Sequence, residues 1–253
     1  MRHRCEGVME GLRDGPWREW QGHALVVGAG GIGRAIAAAL PARAPHLSVW
    51  TAGRRPGNGR HLLLDLEQDA SLVAFAATAL SRLTPLRLVI CCAGLLHEGS
   101  LQPEKRLSQV RREHLQRSFA VNAWGPLLLA QAIEPALPRG EPCHFASLSA
   151  RVGSIGDNQL GGWYGYRAAK AAQNQLLTTL ALEWRRRLPL ACVTLLHPGT
   201  TATPLSAPFR AGVPAERLFT PERAAAQLLS LLEGQDPGSS GAFLAWDGSS
   251  IPW

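Results

Sequence analysis

From residue 24 onward, short apolar runs rich in β-branched residues alternate with longer segments of helical period. This alternation is typical of βα units, in which a helix connects two parallel strands of one sheet. Strands are predicted at residues 24–28, 46–50, 61–65, 86–92, 144–148, 190–196 and 242–246. Helices are predicted at residues 31–41, 68–83, 108–134, 164–187 and 221–233. The sequence therefore predicts an α/β fold with a doubly wound, parallel, seven-stranded sheet and helices on both faces.

The same alternation sets the expected domain boundaries. Residues 23–253 are predicted to form a single domain, because one hydrophobic core can serve a chain of this length. Residues 1–22 lie outside the alternation and are expected to be a flexible N-terminal extension without the apolar stretch of a secretory signal. The longest apolar segment, residues 24–40, is interrupted by glycines and by Arg34, which argues against a membrane span. We therefore expect a cytoplasmic protein with no membrane partner.

The formal net charge is +7, and nearly all of the positive charge is arginine, since Lys105 and Lys170 are the only lysines of the sequence. The arginines are scattered and are not interleaved with aromatic residues, which favours a solvated surface over a nucleic-acid interface. The five cysteines include no CxxC pair, and three of them fall in predicted strands, which indicates reduced, buried thiols. We expect no nucleic-acid partner and no metal site.

A glycine-rich loop separates the first predicted strand from the first predicted helix. Gly28, Gly30 and Gly33 satisfy the spacing GxGxxG, with Gly31 and Ile32 inside the loop. Such a loop lets the backbone approach a diphosphate, and the N-terminus of the following helix offers unpaired N–H groups to the anion. The order of strand, loop and helix predicts a Rossmann-type dinucleotide site, although the pattern alone also occurs in simple tight turns.

The end of the second predicted strand bears on the choice of coenzyme. In NAD-preferring sites a carboxylate at this point binds the ribose 2′-hydroxyl, whereas an arginine accommodates the 2′-phosphate of NADP. Here Arg54 and Arg55 follow the strand, and the nearest downstream carboxylate, Asp65, closes the third strand instead. The sequence favours NADP(H), and NAD(H) stays as the alternative because arginines are also common surface residues.

Tyr166 precedes Lys170 by four residues in the predicted helix 164–187. This spacing puts both side chains on one helix face, where the ammonium would favour the phenolate and lower the pKa of the phenol. A phenol tuned in this way can act as a general acid toward a carbonyl oxygen. The pattern alone also fits an exposed aromatic residue beside a cation, but the scarcity of lysine and the upstream glycine loop favour the catalytic interpretation.

Further motifs follow other predicted strands and complete a family pattern. They are Asp65-Leu66 after the third strand, Cys92-Ala93-Gly94 after the fourth, Asn122 in a predicted helix, and His197-Pro198-Gly199 after the sixth. Together with the glycine loop and YxxxK, they make nearly all of the chain after residue 23 resemble the short-chain dehydrogenase/reductase family, with Cys92 in place of the family's asparagine. Residues 149–175 are most similar to the branch that contains the sniffer-type carbonyl reductases and the C-factor-like proteins.

The resemblance implies an NADPH-dependent oxidoreductase that transfers hydride to an aldehyde or ketone, with Tyr166 as the general acid. It implies that Lys170 lowers the pKa of Tyr166 and binds the nicotinamide ribose, and that Asn122 holds a water in a proton relay. The further coenzyme contacts that it implies are Asp65, Leu66, Cys92, Ala93, Gly94, Pro198, Gly199 and Thr203. It also implies a homodimer or homotetramer paired through the two longest predicted helices.

Two departures from the family pattern affect the expected site. The glycine loop is one residue shorter than usual, and a valine replaces the usual threonine. Ala150 stands where many relatives keep a catalytic serine, so either Ser149 takes that role through a local shift or the substrate oxygen relies on Tyr166 alone. The second departure leaves open another hypothesis, a low-turnover, cofactor-binding regulatory or cell-signalling protein.

The expected substrate is a small-molecule carbonyl or alcohol. Its pocket is predicted to involve Leu95, Leu96 and Trp163, together with the Pro-rich segment 203–214, which is expected to be a mobile loop. An apolar lining of this kind excludes few carbonyl compounds.

Overall fold

The structure, a computed structural model, describes residues 15–253. Its strands are β1 (Gly22–Val27), β2 (Leu47–Gly53), β3 (His61–Leu63), β4 (Leu86–Cys91), β5 (Cys143–Leu148), β6 (Ala191–His197), β7 (Thr200–Thr201), β8 (Leu218–Phe219) and β9 (Ala242–Ala245). Within this part of the chain, seven strands form one parallel sheet in the order β3-β2-β1-β4-β5-β6-β9. The predicted seven-stranded parallel sheet is confirmed. The short strands β7 and β8 pair separately, after the end of β6.

The strand order indicates where a ligand would bind to the sheet. From β1 the chain proceeds outward to β2 and β3, and then returns to place β4 on the other side of β1. In sheets of this kind, ligands bind outside the carboxyl ends of the strands at the point where the order reverses, which here lies between β1 and β4. Every residue of β4 and of β5 is buried, as expected for central parallel strands covered on both faces.

Six α-helices surround the sheet in the described residues. They are α1 (Gly31–Arg43), α2 (Asp69–Arg82), α3 (Arg112–Phe119), α4 (Gly125–Ile133), α5 (Tyr164–Arg187) and α6 (Pro221–Glu233). Ile36 of α1 and Leu228 of α6 belong to the core on one face of the sheet. Phe75 of α2, Leu129 of α4 and Trp184 of α5 belong to the core on the opposite face. Helices on both faces of the sheet, as predicted, are thus confirmed.

The predicted helix 108–134 is interrupted in the structure. Between α3 and α4 lies a wider, π-helical turn, Ala120–Trp124. Pro126, in the first turn of α4, has no N–H group and cannot continue the regular hydrogen-bond pattern, so the wider turn absorbs the break. A Cβ on Gly125 would lie 2.7 Å from the carbonyl oxygen of Ala120, so only glycine fits there.

The N-terminal prediction needs a correction over the described residues. Residues Pro16–Glu19 form a short 3₁₀ turn, and Trp17 is 1% exposed within the core that contains α1 and α6. Burial of an indole side chain is worth several kcal/mol of hydrophobic free energy, about 3 kcal/mol by transfer data. The ordered unit therefore begins before residue 23, while residues 1–14 lie outside the described part of the chain. None of the helices described in residues 15–253 has both the length and the apolar character that a membrane crossing needs.

Candidate active site

The glycine loop between β1 and α1 forms a tight turn with one open surface. Gly28 has φ +91°, and a Cβ there would lie 2.7 Å from the amide nitrogen of Ala93. A Cβ on Gly33 would lie 2.0 Å from the carbonyl oxygen of Gly28. A Cβ on Gly30, by contrast, would meet nothing within 4 Å. Gly30 therefore offers exposed backbone beside the N-terminus of α1, a cradle that fits a diphosphate group.

Predicted coenzyme residues from two other segments meet this loop. A Cβ on Gly31 would lie 2.7 Å from Cγ2 of Thr203, which brings the loop beside the segment after β7. A Cβ on Gly33 would lie 3.4 Å from Cβ of Cys92. A Cβ on Gly94, two residues after Cys92, would lie 3.6 Å from Oδ1 of Asn122. The structure thus brings Gly31, Gly33, Cys92, Gly94 and Thr203 to one crevice.

The remaining predicted contacts differ in their surroundings and in their exposure. Gly199 has φ +72° and packs its backbone against the ring of Phe219, and Pro198 accepts a hydrogen bond from Thr201 Oγ1 at 3.4 Å. Asp65 Oδ1 accepts a hydrogen bond from the Glu67 amide at 3.0 Å. Leu66 is 7% exposed and lies in the core, so its side chain is a packing residue. Ile32 and Ala93 are partly buried beside the sheet.

Arg54 is engaged in ion pairs. Its Nη2 donates to Glu98 Oε1 at 2.9 Å, and its Nη1 lies 3.7 Å from Glu67 Oε2. Sequence reasoning missed both carboxylates because they follow different strands from the arginine. The available signal in the sequence is their position. Glu67 follows β3 and Glu98 follows β4, so both come after strands that end at the carboxyl edge of the sheet.

Tyr166 and Lys170 lie on the same face of α5. Nζ of Lys170 is 5.8 Å from the centroid of the Tyr166 ring. Lys170 is 2% exposed, and burial lowers its pKa to about 8, opposed by the nearby Cys91. Burial raises the pKa of Tyr166, which is opposite to the direction expected from the spacing with Lys170. Desolvation of the phenolate therefore outweighs the attraction of the ammonium in this arrangement.

Buried polar partners hold the ammonium of Lys170. Nζ donates to the carbonyl oxygen of Leu148 at 2.8 Å and to Oε1 of Gln173 at 2.9 Å. Nε2 of Gln173 in turn donates to Oγ of Ser147 at 2.7 Å. Gln173, which is fully buried one helical turn after the lysine, was missed by sequence reasoning, and the i,i+3 spacing was the available signal.

The hydroxyl of Ser149 has a buried partner. Its hydroxyl donates to Oδ1 of Asn174 on α5 at 2.6 Å, and the residue is 4% exposed. Ala150 is half-buried at the start of the short turn Arg151–Gly153. The Ser149 hydroxyl thus donates to a buried amide oxygen, and Ala150 carries no hydroxyl.

Asn122 ties the loop after β4 to the π-helical turn. Its Nδ2 donates to the Leu95 carbonyl oxygen at 2.7 Å, and its Oδ1 accepts from the Leu95 amide at 2.9 Å. Nδ2 also lies 3.3 Å from Oγ of Ser118. The side-chain amide of Asn122 is therefore fully used in positioning the backbone beside Gly94.

Aromatic contacts connect Tyr166 to the segment 203–214. Trp163 packs edge-on against Tyr166, with ring centroids 6.2 Å apart, and against Phe209 of the segment 203–214, with centroids 5.0 Å apart. His97 contacts Phe209, and its Nε2 lies 3.2 Å from the Leu205 carbonyl oxygen. Leu95 and Leu96 are both buried. Phe209 and His97 are additions to the predicted lining.

Glu104 fixes the start of α5. Trp163, at the helix N-cap, has the left-handed backbone angle φ 54°, and its amide donates to the Glu104 carbonyl oxygen. The Gly165 amide donates to Oε2 of Glu104 at 3.1 Å, which satisfies an orphan donor of the helix N-terminus. This buried glutamate, which sequence reasoning missed, therefore anchors the turn that carries Tyr166.

Comparison with known proteins decides the family. The sequence profile described as short chain dehydrogenase matches residues 22–213, more than half of the chain. The chain belongs to the short-chain dehydrogenase/reductase family. The family assignment from sequence motifs is confirmed, and the matched residues include the glycine loop, Asn122, Tyr166, Lys170 and Thr203 of this short-chain dehydrogenase.

Two curated proteins are similar to this chain in sequence. The 1-hydroxy-2-glutathionyl-2-methyl-3-butene dehydrogenase of Rhodococcus sp. (strain AD45) is 33% identical to this short-chain dehydrogenase over 196 residues, which cover 75% of this chain and 78% of that protein. The C-signal protein of Myxococcus xanthus is 34% identical over 148 residues, which cover 58% of this chain and 83% of that protein.

Solved structures share the fold. The NADPH-bound carbonyl reductase from chicken fatty liver is 25% identical to this short-chain dehydrogenase, with a TM-score of 0.80 over 92% of this chain and 99% of the other. The carbonyl reductase Sniffer of D. melanogaster is 20% identical, with a TM-score of 0.78 over 92% of this chain and 100% of the other. The second likeness bears on the fold alone.

Proposed function

We propose that this short-chain dehydrogenase is an NADPH-dependent carbonyl reductase in which Tyr166 is the general acid. The observation that carries the proposal is that Tyr166 and the buried Lys170 share one face of α5, with Nζ of the lysine 5.8 Å from the phenol ring. An ammonium withdrawn from water beside a phenol is suited to proton transfer chemistry, and perturbed groups of this kind cluster at functional sites.

The crevice is suited to a dinucleotide coenzyme. The exposed backbone at Gly30 and the N-terminus of α1 would hold the diphosphate, and Arg54 would hold the adenosine 2′-phosphate. Thr203, whose methyl group lies beside Gly31, would face the nicotinamide, as the family resemblance implies. The NADPH bound to the chicken liver carbonyl reductase supports this choice of coenzyme.

When bound, the reduced nicotinamide supplies the hydride that a carbonyl carbon accepts. Tyr166 donates its phenolic proton to the carbonyl oxygen as the C=O double bond becomes a single bond. Because burial raises the pKa of Tyr166, the phenol stays protonated across the physiological range but is a weaker acid than a phenol in water. Lys170 then stabilises the phenolate that the transfer leaves behind.

The substrate oxygen has one protein donor in this proposal. The hydroxyl of Ser149 is committed to Asn174, and Ala150 has none. Loss of a donor of this type costs on the order of 3 kcal/mol of transition-state stabilisation, which slows a reaction without abolishing it. We therefore propose a slow reductase whose pocket, lined by Trp163 and Phe209, accepts apolar aldehydes or ketones.

The decisive experiment compares the wild type with Tyr166→Phe. We expect the wild type to bind NADPH more tightly than NADH in calorimetric titrations and to consume NADPH with members of a carbonyl panel. The substitution should lower kcat by about 10²- to 10⁴-fold, because the proton donor is lost, while the Kd for NADPH stays within about twofold. Tyr164→Phe, a change at the other tyrosine of the chain, is the matched control and should leave kcat unaltered. Equal turnover by the wild type and Tyr166→Phe would refute the proposed role.

A second candidate function is a regulatory or signalling protein that binds the coenzyme with little turnover. The missing serine hydroxyl and the likeness to the C-signal protein of Myxococcus xanthus favour it. Tight NADPH binding without consumption across the carbonyl panel would support this candidate, and turnover that depends on Tyr166 would dismiss it.

We also propose that the protein acts in the cytoplasm as a two-fold symmetric oligomer paired through α4 and α5. Leu127 and Leu128 of α4 and Leu180 of α5 line an open groove between the two helices. Apolar residues on a helix face of this kind are suited to an interface between copies. Light scattering should give a mass of two or four chains, and a monomer at micromolar concentration would contradict the pairing.

A further inference from the structure

Four charged side chains form a network at the carboxyl edge of the sheet, which we call the edge network: Arg54, Glu67, Glu98 and Arg117. Glu98 accepts hydrogen bonds from Arg54 at 2.9 Å and from Arg117 at 2.5 Å. Glu67 accepts from Nε of Arg117 at 3.0 Å and lies 3.7 Å from Arg54. Each carboxylate therefore bridges the same two guanidinium groups.

The members of the edge network come from separate segments. Arg54 follows β2, whereas Glu98 lies in the loop after β4. Because β2 and β4 flank β1 on opposite sides, the Arg54–Glu98 pair joins the two sides of the crevice whose floor is the loop after β1. Arg54 is thus turned toward a carboxylate on the far side of the crevice that would receive the coenzyme.

The chemistry of the pair makes Glu98 a competitor for a phosphate. A carboxylate and a phosphate use the same N–H donors of a guanidinium in the same fork geometry. The hydrogen bonds from Arg54 and Arg117 lower the pKa of Glu98 to about 2, so Glu98 carries its negative charge at every physiological pH. A 2′-phosphate at Arg54 would compete with this carboxylate for the Nη2 donor and would also be repelled by it.

Ligands without the 2′-phosphate avoid this competition. NADH presents a neutral 2′-hydroxyl, which neither displaces the carboxylate nor suffers repulsion from it. The energetic effect on NADPH is expected to be modest, because Arg54 and Glu98 are 51% and 43% exposed and exposed ion pairs are weak.

We propose that Glu98 is a specificity-determining residue that weakens the binding of 2′-phosphorylated nucleotides by occupying the guanidinium of Arg54. The inference rests on the proposed use of Arg54 for the 2′-phosphate. Glu98 narrows the preference for NADPH over NADH, and its removal widens that preference.

The test is calorimetric titration of Glu98→Gln with NADPH, NADH, 2′,5′-ADP and 5′-AMP. Glutamine keeps the size of the side chain and removes its charge. We expect the Kd for NADPH and for 2′,5′-ADP to fall by about three- to tenfold, in line with the loss of an exposed ion pair, while the Kd for NADH and 5′-AMP stays within about twofold. Glu113→Gln on α3 is the matched control, since Glu113 is exposed and forms no ion pair within residues 15–253, and it should change none of the four values.

The outcomes separate this inference from the proposed function. An unchanged or higher Kd for 2′,5′-ADP in Glu98→Gln overturns the role of Glu98. Equal tightening of 5′-AMP and 2′,5′-ADP does so too, because it reports only a general change of charge. If the wild type prefers NADH while Glu98→Gln still tightens 2′,5′-ADP alone, the coenzyme proposal fails and the role of Glu98 stands.

Discussion

Nζ of Lys170 donates a hydrogen bond of 2.9 Å to Oε1 of the buried Gln173, one turn further along α5. This contact favours the ammonium form of a lysine whose pKa burial lowers to about 8. The protonation of Lys170 therefore depends on Gln173, a residue that need not contact the substrate. The charge beside Tyr166 depends on Gln173 in the same way.

The first prediction concerns the pH dependence of carbonyl reduction. Above the Lys170 pKa of about 8 the ammonium loses its proton, so kcat/KM should fall above that pH, whereas the raised pKa of Tyr166 keeps the phenol protonated there. Gln173→Glu adds a negative charge and should move the alkaline limb to higher pH, and Gln173→Met removes the acceptor and should move it lower, each by about one unit. Profiles of kcat/KM from pH 6 to 10 measure the limb. Shifts of the same sign in both variants would contradict the assignment to Lys170.

The second prediction concerns the hydroxyl that Ala150 lacks. Ala150→Ser should supply a second donor to the substrate oxygen and raise kcat by about tenfold or more. Ser149→Ala should leave kcat unaltered, because the Ser149 hydroxyl bonds to Asn174, and should destabilise the fold by about 1–3 kcal/mol through the loss of a buried hydrogen bond. Steady-state kinetics and urea unfolding of both variants provide the measurements. A collapse of kcat in Ser149→Ala without loss of stability would assign the catalytic hydroxyl to Ser149 instead.

The third prediction separates two glycines of the same loop. Gly33→Ala places a methyl group against the Gly28 carbonyl oxygen and should destabilise the fold by about 3 kcal/mol. Gly30→Ala places its methyl group in open space and should keep the stability of the wild type, but it should raise the Kd for NADPH by at least about tenfold, since the diphosphate approaches that backbone. Thermal unfolding and coenzyme titration distinguish these effects. Unaltered NADPH binding in Gly30→Ala would place the diphosphate elsewhere.

The sequence predicted the sheet well because central parallel strands are continuous apolar runs and their helices carry a clear period. All seven strands of the main sheet were predicted with boundaries within three residues of those observed. The π-helical turn around Asn122 was missed. Pro126 has no N–H and breaks the hydrogen-bond pattern one turn before its own position, but the apolar period of the segment does not change there. Trp17 was missed because a single buried indole has no periodicity.

The candidate site was predictable where one motif carries it and unpredictable where distant segments meet. The glycine loop and the Tyr166–Lys170 pair are local patterns, and the structure shows the tight turn of the one and the shared helix face of the other. The partners of Arg54 and of Ser149 lie 44 and 25 residues away along the chain, and no local pattern indicates such contacts. The direction of the Tyr166 pKa depends on burial, which a sequence spacing does not reveal.

The burial of Trp17 extends the folded domain upstream of its first strand. A polypeptide shortened to start at Gly22 would retain every strand and α-helix named above. It would lose the Trp17 indole, and the apolar surface of α1 and α6 that this indole covers would be exposed to water. Gly15 already lies beside the Glu233 side chain at the end of α6. An affinity tag or a fusion partner therefore belongs upstream of residue 15, and trimming the chain to its first strand would yield a protein prone to self-association.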